Sequence, residues 1–173
     1  MAGNRKILIL PGDYIGPEVV EQVRRVIDWL SDVRSVTLEV ENDHFGGAAV
    51  EAYGEPLADK TLVKAKTADA VLMGAVGGPK FDHLPRDMRP EAGLLKLRKK
   101  LDLFANLRPA TTFDALLGAS TLKSEVIKGL DILIVRELTS GIYFGEPRGI
   151  EGKENERIAI DTQQYRENEI YRV

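Results

Sequence analysis

The chain contains no cysteine, which excludes a disulfide framework, a thiol nucleophile and a thiolate-ligated zinc site. Histidine is almost as scarce. Only His44 and His83 occur, too few for a histidine-rich metal centre, and each reads as a solvated loop or strand-end residue. No apolar run approaches the roughly 20 residues that span a bilayer. Met1 to Asn4 is short and polar, without a charged segment leading into an apolar one, so no secretory leader is expected. A net charge of -3 leaves no general basic footprint for nucleic acid. What is present is ordinary: 173 residues, 43% hydrophobic and 29% charged, the balance of a globular chain rather than a disordered one. That length suits one domain or two incomplete ones. A soluble, cytoplasmic protein is expected, a setting that the missing cysteine fits without requiring.

The order of elements is that of an α/β protein. Lys6 to Leu10 is a continuous apolar run, the pattern of a strand covered on both faces, and Pro11-Gly12-Asp13 is expected to break it. Gly16-Pro17-Glu18 then opens a helix, with proline in the first turn, where an N–H is dispensable. Val19, Val23, Val26, Ile27 and Leu30 are expected to form its apolar face. Val36 to Val40 alternates as a strand, Gly46-Gly47 marks a tight loop, and helices are expected from Ala48 to Tyr53 and from Asp59 to Thr67. Ala68 to Met73 has a buried-strand pattern, closed by Gly74 to Pro79. Pro90 to Lys100 reads as a helix with Leu94, Leu97 and Leu101 on one side, and Leu103 to Leu107 as extended.

Beyond Pro109 the pattern loosens. Phe113 to Ala119 and Leu122 to Val126 are irregular, Ile132 to Val135 is expected to be a buried strand, and Gly141 to Gly145 a turn with a short strand. Ile150 to Thr162 carries a charge run read as a solvated loop between two extended segments, and Glu167 to Val173 reads as the first turns of a helix. No internal repeat or low-complexity tract occurs.

Three arginines and a tyrosine stand out: Arg98, Arg108, Arg136 and Tyr143. Guanidinium groups bind carboxylates through two parallel hydrogen bonds, so a converging set suits a small polycarboxylate. A phenol beside them can donate a proton to an enolate or carbanion. Spacings of three and four residues bring Leu94, Leu95 and Arg98 near one helix face. Either that face lines a pocket for a ligand with an apolar branch and a carboxylate, or the leucines are core and Arg98 snorkels outward. The glycine segments leave a similar choice. Gly12 and Gly16 lack the spacing of a dinucleotide-binding turn, and Pro79 stands where a phosphate-binding loop requires glycine. They are either plain tight turns or ligand loops at the carboxyl ends of parallel strands.

The segments Leu10 to Glu18, Gly74 to Pro79, Arg89-Pro90-Glu91, Leu94 to Pro109 and Val135 through Gly149 together resemble the N-terminal part of the β-decarboxylating dehydrogenases, the isocitrate/isopropylmalate dehydrogenase family. The resemblance runs along nearly the whole chain in the family's order. It implies an α/β fold of that type, incomplete here: residues 1–103 as the N-terminal portion of the first domain, and 104–173 as the beginning of the second, with an arm-like dimerisation segment at about 150–162. It implies NAD-dependent oxidation of the 2-hydroxyl of a malate-type acid, followed by loss of the 3-carboxylate, with Mg2+ or Mn2+ as the metal. Arg98, Arg108 and Arg136 would clamp carboxylates and Tyr143 would assist proton delivery. Ile15 and Glu91 would lie near the nicotinamide, with Gly77 and Gly78 in the cofactor loop.

Leu94 and Leu95 would pack on an isopropyl branch, which implies 3-isopropylmalate as substrate and a role in leucine biosynthesis. The extra carboxylate of isocitrate would be left unpaired and desolvated there, and homoisocitrate and tartrate relatives stay open. Position 14 is usually glycine in this family, and Tyr14 places a ring beside the expected cofactor. The family's catalytic lysine, metal-binding aspartates and adenosine loop belong to later sequence with no counterpart here, so no metal ligand is expected in this chain. The chain alone is expected to be inactive, with uncovered strand edges and helix faces. A homodimer is expected of the full-length family, and no nucleic acid or membrane partner. The alternatives are a non-catalytic half of a split enzyme or an interaction fragment, and a self-sufficient dicarboxylate-binding protein.

Overall fold

The computed structural model describes residues 5–173, which divide into two compact units with the boundary between Leu101 and Asp102. In the first unit, strand β1 (Arg5–Gly12) leads into helix α1 (Ile15–Arg34), and β2 (Leu38–Asn42) into α2 (Gly47–Tyr53). Helix α3 (Asp59–Thr67), strand β3 (Ala70–Ala75) and helix α4 (Pro90–Lys100) complete it. The three strands form a parallel sheet in the order β2-β1-β3. The continuous apolar run takes the central place because both of its faces must be covered, and Leu8, Ile9 and Leu10 are wholly buried. Leu8 and Leu10 join Phe45, Leu57, Leu62, Ala65 and Leu97 in the core, so α3 and α4 close the sheet through the apolar residues that their helical spacing aligns.

Three expectations need correction in this unit. Strand β1 does not stop at Leu10: Gly12 pairs with Ala75, and the Asp13 N–H donates to the Ala75 carbonyl at 2.7 Å, so the ladder passes the proline that lacks a donor. The apolar face of α1 is split. Gly16 and Val20 are buried, whereas Val19 and Val26 are exposed, in company with Trp29 and Val33. Strand β3 is only partly buried because it is an edge of the sheet rather than its centre.

In the second unit, strand β4 (Ala105–Thr111), helix α5 (Ser124–Ile127) and strand β5 (Asp131–Glu137) are followed by β6 (Arg148–Glu151), β7 (Ile158–Asp161) and helix α6 (Glu167–Tyr171). Strands β4 and β5 form an antiparallel ladder, and β6 and β7 a second one around the charge run. Ile132 to Val135 lie in β5 but are not buried. They are 40–58% exposed, because a two-stranded ladder supplies no layer to cover them. Gly141–Tyr143 forms a 3₁₀ turn, with no strand before Arg148. Among the described residues no helix is long and apolar enough to cross a membrane.

At the edge of the first unit, Asp43 anchors a charged cluster. Its side chain is 4% exposed and faces the Lys64 ammonium at 2.9 Å, while the Tyr53 hydroxyl donates to it at 2.7 Å. Lys64 also reaches Glu41, which pairs in turn with Lys6 at 2.8 Å. Burial alone pushes the Asp43 carboxyl upward, but Lys64, Tyr53 and the His44 N–H outweigh it and hold the group down at about 2. A carboxyl whose folded pKa is depressed contributes stability above its unfolded value and loses it as pH falls through the folded value. Asp43 should therefore contribute ~2 kcal/mol at neutral pH, lost as the pH drops from about 4 to about 2. In urea melts, Asp43→Asn should lower stability at neutral pH and flatten the acid limb; an unchanged limb would remove this account.

Candidate functional site

The carboxyl ends of β1 and β3 meet around one buried carboxylate. Asp13 Oδ2 accepts the Gly47 N–H at 2.9 Å and the Gly77 N–H at 3.0 Å, and Oδ1 accepts the Ala48 N–H at 2.8 Å. Helix α2 has Gly46 at its N-cap and so no side-chain acceptor of its own for its first N–H groups. Asp13 supplies that acceptor from another loop, with its negative charge at the positive end of the helix. Sequence reasoning treated Asp13 only as part of a strand-breaking turn, because a contact 34 positions away leaves no local signal.

The expected cofactor-side residues gather on this scaffold. Gly77 and Gly78 have φ of 100° and 148°, a region open to glycine. A Cβ on Gly77 would strike the Glu91 carboxylate, and one on Gly78 would strike the Tyr14 ring. The Tyr14 hydroxyl accepts the Lys80 N–H at 3.2 Å, so the ring expected beside the cofactor rests on the 78–80 loop. Ile15 follows it with its side chain half exposed. The Cβ positions of both glycines are thus already filled, by the Glu91 carboxylate at Gly77 and by the Tyr14 ring at Gly78.

Leu94, Leu95 and Arg98 are half-buried on α4, and Leu94 packs against the core. They belong to the first unit, whereas Arg108, Arg136 and Tyr143 belong to the second. In the second unit the register of the β4–β5 ladder decides which arginines meet. Arg136 stands opposite Asn106, and Arg108 is two residues along from Asn106. Alternation therefore turns both guanidinium-bearing side chains to the same face. Arg108 Nε donates to Asn106 Oδ1 at 2.6 Å, which restrains the guanidinium. The Arg136 guanidinium carbon lies 5.4 Å from the centre of the Tyr143 ring, within cation–π range. Arg108, Arg136 and Tyr143 line one cavity of about 460 Å³ with Ile134, Ile142 and Tyr165.

Two residues of this second unit escaped sequence reasoning. Tyr165 lines the cavity, and Asn106 braces Arg108; only the period-two alternation around Arg108 could have pointed to Asn106. Two guanidinium groups, two phenols and an apolar edge suit a small dicarboxylate, and the Glu137 carboxylate, also in the lining, is occupied by hydrogen bonds from Thr139 and Ser140. No three His, Asp or Glu side chains among the described residues are grouped to hold a metal ion, so these residues do not by themselves fit the expected Mg2+ or Mn2+, and no step is assigned to it.

Asp13→Ala should destabilise the first unit by ~2–3 kcal/mol, since one buried and two part-buried donors lose their acceptor. Chemical denaturation measures it, and a loss comparable to an exposed Asp→Ala change would show that the three hydrogen bonds carry little.

Comparison with known proteins bears on the family and the fold. The isocitrate/isopropylmalate dehydrogenase family matches residues 6–173. A 3-isopropylmalate dehydrogenase from Ruegeria pomeroyi is 59% identical over 170 residues, covering 98% of this chain and 46% of that protein. One from Aquifex aeolicus is 54% identical over 168 residues, covering 97% of this chain and 46% of its own length. The chain thus spans about half the length of the curated relatives it matches. Among solved structures, a β-decarboxylating dehydrogenase from Thermococcus kodakarensis superposes with a TM-score of 0.63 at 28% identity, covering 97% of this chain and 42% of that one. Isocitrate dehydrogenase from Methylococcus capsulatus gives a TM-score of 0.61 at 28% identity, with 91% and 42% covered. The sequence match along nearly the whole chain, joined to the shared α/β fold, makes this chain a member of the isocitrate/isopropylmalate dehydrogenase family.

Proposed function

We propose that the chain carries the substrate-clamping half of an NAD-dependent 3-isopropylmalate dehydrogenase, an oxidoreductase of leucine biosynthesis. The observation that carries this reading is the placing of Arg108 and Arg136 on one ladder face with Tyr143 in the same cavity. The 54–59% identity to relatives named for that activity supports it.

In this reading Arg108 and Arg136 hold the malate carboxylates through paired, charge-assisted hydrogen bonds. The Arg136 guanidinium beside the Tyr143 ring keeps that phenol in the cavity, where it can pass a proton to the enol left by decarboxylation. On α4 of the first unit, Leu94 and Leu95 beside Arg98 offer by themselves a face suited to an apolar branch and a carboxylate. Ile15, Gly77, Gly78 and Glu91 would border the nicotinamide of a bound NAD, which would supply the hydride acceptor. The divalent cation of the family would depend on ligands other than a cluster within these residues. A cytoplasmic homodimer is part of the proposal, with the β6–β7 hairpin as the dimerisation arm; Ile150 and Ile158 on it are exposed.

The deciding experiment titrates the 173-residue chain with 3-isopropylmalate by calorimetry and assays NADH production with Mg2+ or Mn2+. Binding is expected, weakened on the order of 100-fold by Arg136→Ala, because a desolvated carboxylate loses its partner. Turnover is expected only when a chain carrying the remaining family sequence is added. Affinity equal in parent and Arg136→Ala would sink the clamp.

A further inference from the structure

The turn that carries Tyr143 is held by a residue with no role assigned above. Glu137 ends β5, one position beyond Arg136, and its side chain is 12% exposed. Its carboxylate accepts the Thr139 hydroxyl at 2.7 Å, the Thr139 N–H at 3.0 Å and the Ser140 N–H at 3.0 Å. These donors belong to the segment that enters the Gly141–Tyr143 turn. A cation closes the arrangement from behind. Arg172 donates to the Thr139 hydroxyl, approaches Glu137 at 3.4 Å and Asp102 at 3.0 Å, and stacks 4.8 Å from the centre of the Phe104 ring.

The other side of the turn is equally constrained. The Gly141 N–H donates to the Gln164 carbonyl at 3.0 Å, and a side chain at Gly141 would strike the Tyr165 hydroxyl. The Arg148 guanidinium donates to the Tyr143 carbonyl at 3.3 Å. The backbone around Tyr143 therefore has fixed attachments on both sides, and Glu137 supplies the one that leads directly from Arg136.

The geometry points to Glu137 as a positioning residue: backed by Arg172, it fixes the 139–143 turn so that the Tyr143 phenol stays beside the Arg136 guanidinium in the cavity. Burial pushes the Glu137 carboxyl upward, but the Thr139 and Ser140 donors outweigh it and hold it below the usual carboxylate range, so it is the charged acceptor at neutral pH. A charged acceptor that collects several donors within one turn restrains that turn more strongly than a neutral one. The consequence for substrate rests on the carboxylate-clamp reading above, whereas the consequence for the Arg136–Tyr143 contact does not.

The test is nuclear magnetic resonance of the 173-residue chain with isotope-labelled arginine. In the parent, the Tyr143 ring current should shift the Arg136 side-chain resonances, and Tyr143→Leu identifies that shift. Glu137→Ala should abolish most of it while the cross-strand contacts of β4 and β5 persist, and should weaken 3-isopropylmalate binding ~10-fold. Glu137→Gln, which keeps an acceptor oxygen but not the charge, should fall between. A residue that merely stabilised the fold would lower the unfolding midpoint and leave the ring-current shift in place; that result overturns the inference. If Glu137→Ala does not fold, Glu137→Gln decides: a reduced shift upholds the inference, and an unchanged shift overturns it. A parent that shows the Glu137-dependent shift but no 3-isopropylmalate binding upholds the positioning role and overturns the clamp reading instead.

Discussion

The carboxylate of Asp13, accepting three backbone N–H groups from two other segments, is the interaction on which the corner between β1, α2 and β3 depends. A buried carboxylate is tolerable only when donors surround it, and the first N–H groups of α2 are tolerable only when an acceptor faces them. Each need meets the other, and the end of β1, the start of α2 and the loop after β3 become one rigid corner. The glycines there follow from the same closeness: segments drawn onto one side chain leave no room for a Cβ at Gly78 or Gly46. The second unit repeats the device at the end of β5, where Glu137 collects the donors of the Thr139–Ser140 segment. In both units an acidic side chain at or just beyond the carboxyl end of a strand converts a loose exit into a defined one.

On such exits side chains are brought together by simple geometry. A strand's period of two brings Arg108 and Arg136 to one face through the register that sets Arg136 against Asn106. A slip of one residue would send one of them to the other face. Tyr143 reaches the same cavity by a 3₁₀ turn rather than by a strand, which explains why its position needs attachments on both sides. Leu94, Leu95 and Arg98 lie on a helix of the other unit. The family's relatives are about twice as long as this chain.

The apolar surface is the second consequence of this construction. Val19, Val26, Trp29 and Val33 along α1, and Ile132 to Val135 in β5, remain exposed. Scattered apolar residues at a surface are ordinary, but rows of them on one element mark faces that fit a further layer. The hydrophobic pattern identifies such faces without saying what lies on them.

Much was legible in the sequence because it depended on neighbours only a few positions apart. The apolar run of β1, the helix between Pro90 and Lys100 and the extended segments on either side of the charge run are local patterns, and each is found, although β1 runs on past its apolar residues. The family could be read from Leu10 to Glu18 and Val135 to Gly149, because turns and sites there constrain residue identity directly. Burial of Ile132 to Val135 and of the α1 valines was not legible, since it depends on how many layers cover an element. Nor were the hydrogen bonds of Asp13 or the brace of Asn106 on Arg108. By itself the sequence determined the order of strands and helices, to within a few residues at their ends, and the family they belong to, because period and turn chemistry act over a few residues. Only the tertiary structure decided which side chains meet, which carboxylate anchors which turn and which apolar face is covered, because those are matters of register and distance between segments remote along the chain.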